Sequence, residues 1–405
     1  MPLVITIQGA DSVAQSADPI RAVVDGVETG YGSIETAVAA VGTMVGELIV
    51  GKSTALSSSI TIPKTMTLRI TGAAVIDYGV HTLTVNGRFP WPAGKCFAGA
   101  TGRVVFGYDT CGMIFPQWWG AVGDARADGS GTNSTAAFRA AIAASTSSGR
   151  ADGVSIHPVY AGQGNWLVGN LVFPIAYRMF AAGRHSTNFI APDGTVGKHF
   201  TDGGSASKII LEGFAMYGRN LPGLTHGLEL GRNGVEHGTE GYVRDIWIRD
   251  YSALGAYGLD VMSNVGIYHN ITLQNCSRNR VFGGPSDCGG IVVMQPREVG
   301  IDLAYCSVSG LLHIEAPAGN CVPLRLSRNS RIGMLSIAVA NGTDIQSFVE
   351  IDPACQSWRI DSVNYFFGSD PSAIRVAGNI KSADGTYFGG NASGGSLSGN
   401  GNYSS

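Results

Sequence analysis

Two short stretches, Gly227-Leu228-Glu229-Leu230 and Gly258-Leu259-Asp260-Val261, each hold one acid between two apolar residues. In a β-strand the apolar pair turns to one face and the residue between them to the other. If the two strands stack on successive coils, the carboxylates become neighbours, which is what cleavage of a glycosidic bond requires. A pair about 5 Å apart suits a retaining glycosidase and a wider pair an inverting one. Repulsion between them raises one pKa and supplies an acid at neutral pH. Glu229 and Asp260 are therefore the first catalytic candidates, expected to face outward and to tolerate neutral isosteres. Continued through further apolar-x-apolar strands, the same column reads Glu229, Asp260, Val292, His313, Glu350 and Arg375, with the last three as substrate-binding groups. The stretch after Glu229 is the densest in acids. It adds Glu236 and Glu240 as catalytic candidates and Asp245 as a substrate-binding one, because loops carry function more often than strands. Asp287 ranks below these. A lyase would instead use His313 or Arg375 as base or charge neutraliser. Against every one of these stands the bland reading that outward strand positions are polar because they are solvated.

Other chemistries are excluded or have no support. The seven cysteines are odd in number and lack a C-x-x-C pair, so they read as small core residues. No His or Cys pair has ligand spacing, so neither a metal nor a cofactor is expected. With 27 Lys plus Arg against 30 Asp plus Glu, and no basic block, nucleic acid is not an expected partner. No apolar run is long enough for membrane insertion. The start, Met1-Pro2-Leu3-Val4, shows no secretory signal, which points to release within a virion tail or another route to the outside. Trp166, Trp247, Trp358 and Tyr251 could stack on sugar rings, although core is the commoner fate of such residues.

The elements that position these groups are β-strands. The chain of 405 residues is 44% hydrophobic and carries 58 Gly, about twice the usual share, which fits many tight turns. Apolar-x-apolar strands recur irregularly from about 208 to 377 at intervals of about 20 to 35 residues. One set runs through Ile210, Ile246, Ile271, Ile301 and Leu324. The other begins at 227, 258, 290, 312, 349 and 374. One strand stacked per coil gives a parallel sheet, and two or three such sheets make a β-helix. Upstream, Ile34, Ala37, Val38 and Val41 recur at helical spacing, and short strands follow from Glu47 to Val85. Asn133-Ser134 offers an N-cap for a helix over 135–144 that covers the open end of the solenoid. The expected divisions are a β-rich head over 1–115, a β-helix over 116–380 and a Gly/Ser-rich tail over 381–405.

Trp118-Trp119-Gly120-Ala121-Val122-Gly123-Asp124, then Asp128-Gly129 and Asn133-Ser134-Thr135-Ala136-Ala137-Phe138, resembles the opening motif of the pectate-lyase superfamily, shared with phage tailspike depolymerases. The resemblance implies an all-β, right-handed, single-stranded parallel β-helix with a short capping helix and a small N-terminal head. It also implies a polysaccharide substrate and a homotrimer. Asp124 and Asp128 read as turn and capping groups. The leading expectation is a tailspike-like hydrolase of a bacterial surface polysaccharide. The alternatives are a lyase on a uronic-acid polymer and a non-catalytic adhesive β-helix.

Overall fold

The computed structural model describes residues 20–146, 157–174, 176–202, 208–231, 240–263, 265–318, 320–339, 349–352, 355, 357–367, 380–381, 387–388 and 397–400. The chain forms two compact units, Met1–Cys111 and Gly112–Ser405.

The first unit opens with an antiparallel hairpin, Ile20–Val24 against Val27–Tyr31. Its turn residues Asp25 and Gly26 both have positive φ, as a tight hairpin turn of matching twist requires. Ser33 and Thr36 form a capping box for the helix Ile34–Val41, whose Ile34, Ala37 and Val41 are buried. The short strands after it form the coils of a small parallel solenoid. Gly46–Val50 lies beside Met66–Ile70. Ile76–Asp77 sits between Thr54–Ala55 and Phe97–Ala98, and Thr82–Val85 between Ile60–Ile62 and Arg103–Phe106. The coils turn rows of apolar residues such as Leu48, Leu68 and Leu83 inward, and Phe89, Phe97 and Phe106 fill the middle.

The second unit is a right-handed parallel β-helix whose described strands form one continuous, almost wholly parallel sheet. The helix Thr135–Thr146 closes its start by packing the Phe138 ring on Trp166 and Phe189, so the expected cap exists. Asn133 Oδ1 accepts from the Thr135 amide, whereas Ser134 is tied to Val122. Asp124 accepts from the Thr132 amide and hydroxyl, and Asp128 from those of Ser130, so both acids of the motif hold turns.

Each coil carries strand segments on three faces. The first face stacks Leu224–Leu230 on Tyr257–Ser263, continuing through segments near 280, 302, 325 and 350. The second and third faces meet at a sharp corner where Gly213, Asp245, Asn270 and Gly290 follow one another, each with positive φ. The interior is a set of apolar ladders, such as Leu230, Val261, Val281, Leu303, Leu326 and Ile351, nearly all of them inaccessible to water.

This topology corrects the expected stacking. Strands 228–230 and 259–261 are in register, with Leu228 opposite Leu259 and Leu230 opposite Val261. Strand 291–293 does not join them. It lies between 271–273 and 312–314 on the third face, while Asp260 pairs onward with Arg280. The cause is local mimicry. Gly258 precedes a first-face strand because a Cβ there would stand 2.4 Å from Cys276 Sγ, whereas Gly290 precedes a third-face strand because it turns the corner at φ +65°. Both look like Gly followed by apolar-x-apolar.

Candidate active site

Glu229 and Asp260 are direct register partners on adjacent coils, with their flanking apolar residues in the core. Alternation thus sends both carboxylates to the outer side of the sheet. They are nevertheless 3% and 2% exposed, so the expected open acid pair is corrected to a covered one. The cover is made of charged and aromatic side chains. Lys198 forms an ion pair with Glu229 Oε2, and Thr201 Oγ1 donates to the same oxygen at 2.8 Å. Arg280 grips Asp260 with two bonds of 2.7 Å, and His226 Nε2 lies 3.2 Å from Asp260 Oδ2. The His226 ring stacks at 8° on Tyr257, and the Arg280 guanidinium lies 5.0 Å from the centre of that ring. Burial opposes ionisation of Asp260, but the hydrogen bonds and charges of His226 and Arg280 outweigh it and hold its pKa below the ordinary aspartate value. A buried carboxylate gripped in this way is a poor proton donor.

Beyond Asp260 the column alternates in sign. Register pairing runs Thr201, Glu229, Asp260, Arg280, Asp302, Arg325, Glu350 and Lys381, all on the first face. Val292 and His313 belong to the third face instead, between Thr272 and Ser336, where His313 Nδ1 contacts Ser336 Oγ at 2.9 Å. Glu350 is on the column and pairs with Arg325 at 3.0 Å. Asp245 is a corner residue that accepts a bond from Asn270. Glu236 and Arg375 lie outside the described residues, and of Glu240 only the strand backbone is described.

Asp302 stands at the centre of this ladder, half-buried, with Arg280 on one neighbouring coil and Arg325 on the other. Burial raises its pKa most. A 2.6 Å bond from Ser327 and the charges of Arg325 and Arg280 pull the other way, and Asp352 adds to the rise, leaving the carboxyl at about 6. Asp302, Arg280, Lys198, His226 and Tyr257 were not singled out from sequence. Asp302 had the signal, since Ile301-Asp302-Leu303 repeats the pattern of Leu259-Asp260-Val261.

No family model matches the chain, and no curated protein matches it. Among solved structures it is similar to the A-module of the mannuronan C-5 epimerase AlgE4 of Azotobacter vinelandii, at 12% identity over 68% of this chain and all of that one. The TM-score is 0.29, too low to carry any argument, so the fold rests on the strand pairing above and the chemistry on the side chains.

Proposed function

We propose that this chain binds a polysaccharide along the first face of the β-helix and hydrolyses it, with Asp302 as general acid and Glu350 as the base that activates water. One observation carries this reading: the two carboxyls share an outward column and are separated by a single intervening arginine, Arg325. Two strand spacings amount to about 9.5 Å, at the upper end of the about 6.5–9.5 Å that leaves room for a water in inverting enzymes. The environments divide the roles. Asp302 stays protonated up to about pH 6, while Glu350 is ion-paired to Arg325 and 27% exposed, which leaves it within reach of solvent. A carboxyl held protonated near neutral pH, with a second carboxyl two coils away, is the arrangement that an acid–base couple needs. Glu229 and Asp260 then hold the ladder together rather than react.

The biological setting that fits is a tailspike-like depolymerase acting on a bacterial surface glycan. A lyase on a uronic-acid polymer is the second reading, favoured by the stacked His226–Tyr257 pair beside Arg280. It needs a cation to neutralise the uronate, and both Arg280 and Lys198 are already bonded to carboxylates. The test is purified protein on a panel of capsules, lipopolysaccharides and pectins. New reducing ends without ultraviolet absorbance support hydrolysis. Absorbing products support elimination, and binding without products supports an adhesin. Cleavage that persists at the wild-type rate in both Asp302→Asn and Glu350→Gln would remove this assignment.

A further inference from the structure

We propose that His226, Glu229 and Asp260 form a divalent-cation site in which Lys198 is the counter-charge that the ion displaces. This inference does not depend on the hydrolytic reading, because none of the four residues is assigned to catalysis there. One donor atom from each of the three lies within 4.8 Å of the other two. Metal–ligand bonds of about 2.0–2.6 Å put donors on one ion no more than about 5 Å apart, so the three can converge with small side-chain movements. The second observation is independent of the cluster. Glu229 is 3% exposed, yet its Oε1 finds no hydrogen-bond partner among the described residues. A buried carboxylate oxygen left bare is costly, and an ion is one of the few things that satisfies it.

The surroundings are those of a ligand set already held in place. His226 Nδ1 contacts Thr225 Oγ1 at 2.9 Å, so Nε2 is the nitrogen turned to Asp260. The stack on Tyr257 fixes the plane of the ring. Thr201 holds Glu229 through Oε2, and Arg280 holds both oxygens of Asp260, leaving Oδ1 a second lone pair while Oδ2 also faces His226. Outer partners of this kind orient ligands and tune their affinity. Lys198 is the movable part. Its ammonium sits on Glu229, but its side chain is 35% exposed on a flexible stem, so it can return to water as the ion enters. One imidazole with two carboxylates suits Zn2+ or Mn2+, whereas Ca2+ takes oxygen ligands.

The test is titration calorimetry and thermal unfolding of untagged full-length protein with zinc or manganese chloride after chelator treatment. One ion per chain and a raised Tm are expected. His226→Ala leaves no new buried charge unpaired and should fold, with affinity at least about tenfold weaker. Glu350→Gln should bind as wild type, which separates this site from the glycan chemistry. Lys198→Met should bind the ion at least about tenfold tighter, because the competing cation is gone. If Lys198→Met does not fold without metal, folding rescued by zinc or manganese supports the displacement, and no rescue refutes it. Absence of binding at millimolar metal, wild-type affinity in His226→Ala, or unchanged affinity in Lys198→Met would each overturn the proposal.

Discussion

Asp302→Asn removes the titrating carboxyl but keeps an oxygen for the Ser327 hydroxyl, so it separates chemistry from packing. Turnover should fall at least about 100-fold, the lower end of general acid–base effects. The same variant changes how stability depends on pH. The folded carboxyl titrates at about 6 against an ordinary value of 3.8, so between those pH values the folded state holds a proton that the unfolded state has lost. Wild-type stability therefore falls as pH rises from about 4 to about 6, and the loss is at most about 3 kcal/mol. Asp302→Asn lacks this titration and should be the more stable protein above pH 6, as urea unfolding at pH 4 and pH 8 can show. Wild-type activity should also decline as pH rises through about 6 while the acid is deprotonated. Asp260→Asn is a different kind of variant. It leaves the partly buried Arg280 without its bidentate partner and should cost about 1–3 kcal/mol, in contrast to the unperturbed fold that the sequence pattern suggested. An unfolding midpoint equal to wild type would show that the ladder carries no stability.

At the scale of elements, two glycines that look alike in the sequence should behave differently. Gly258→Ala puts a Cβ 2.4 Å from Cys276 Sγ in a closed interior and should cost about 1–3 kcal/mol. Gly290→Ala meets only Asn270 backbone at 3.8 Å, so its cost is the positive φ alone, about 1 kcal/mol. Equal losses in denaturant melts would count against their assignment to different faces. The cap makes a further claim. Phe138→Ala removes a fully buried ring packed on Trp166 and Phe189, and should cost about 3–5 kcal/mol.

For the whole molecule, the homotrimer expected from the resemblance is the proposed assembly. Ile267, Tyr305, Leu311 and Met334 are large apolar groups about two-fifths exposed on the second unit, and Leu311 and Met334 are stacked on adjacent coils. Lateral association would cover such groups. Light scattering should give a trimer at micromolar concentration and a smaller species for the Leu311→Glu, Met334→Glu double variant. A monomeric wild type would remove the assembly.

The parallel coils, the capping helix and the adjacency of Glu229 to Asp260 were all legible in the sequence. Each follows from a short-range rule: alternation of period two, helical spacing around Phe138, or a motif of fixed length. The course of the column beyond Asp260 was not legible. Which face a strand joins depends on how much chain is used in the turns of its coil, and that length varies, being 20 residues from Asp260 to Arg280 but 25 from Arg325 to Glu350. A strand pattern carries no record of that count, so 290–293 read as the next copy of 258–261. Burial of Glu229 and Asp260 was hidden for a related reason. Alternation fixes the side of the sheet to which a carboxylate points. Only the stacking of neighbouring coils brings Lys198, His226 and Arg280 over the pair and turns two surface acids into a covered network of charges.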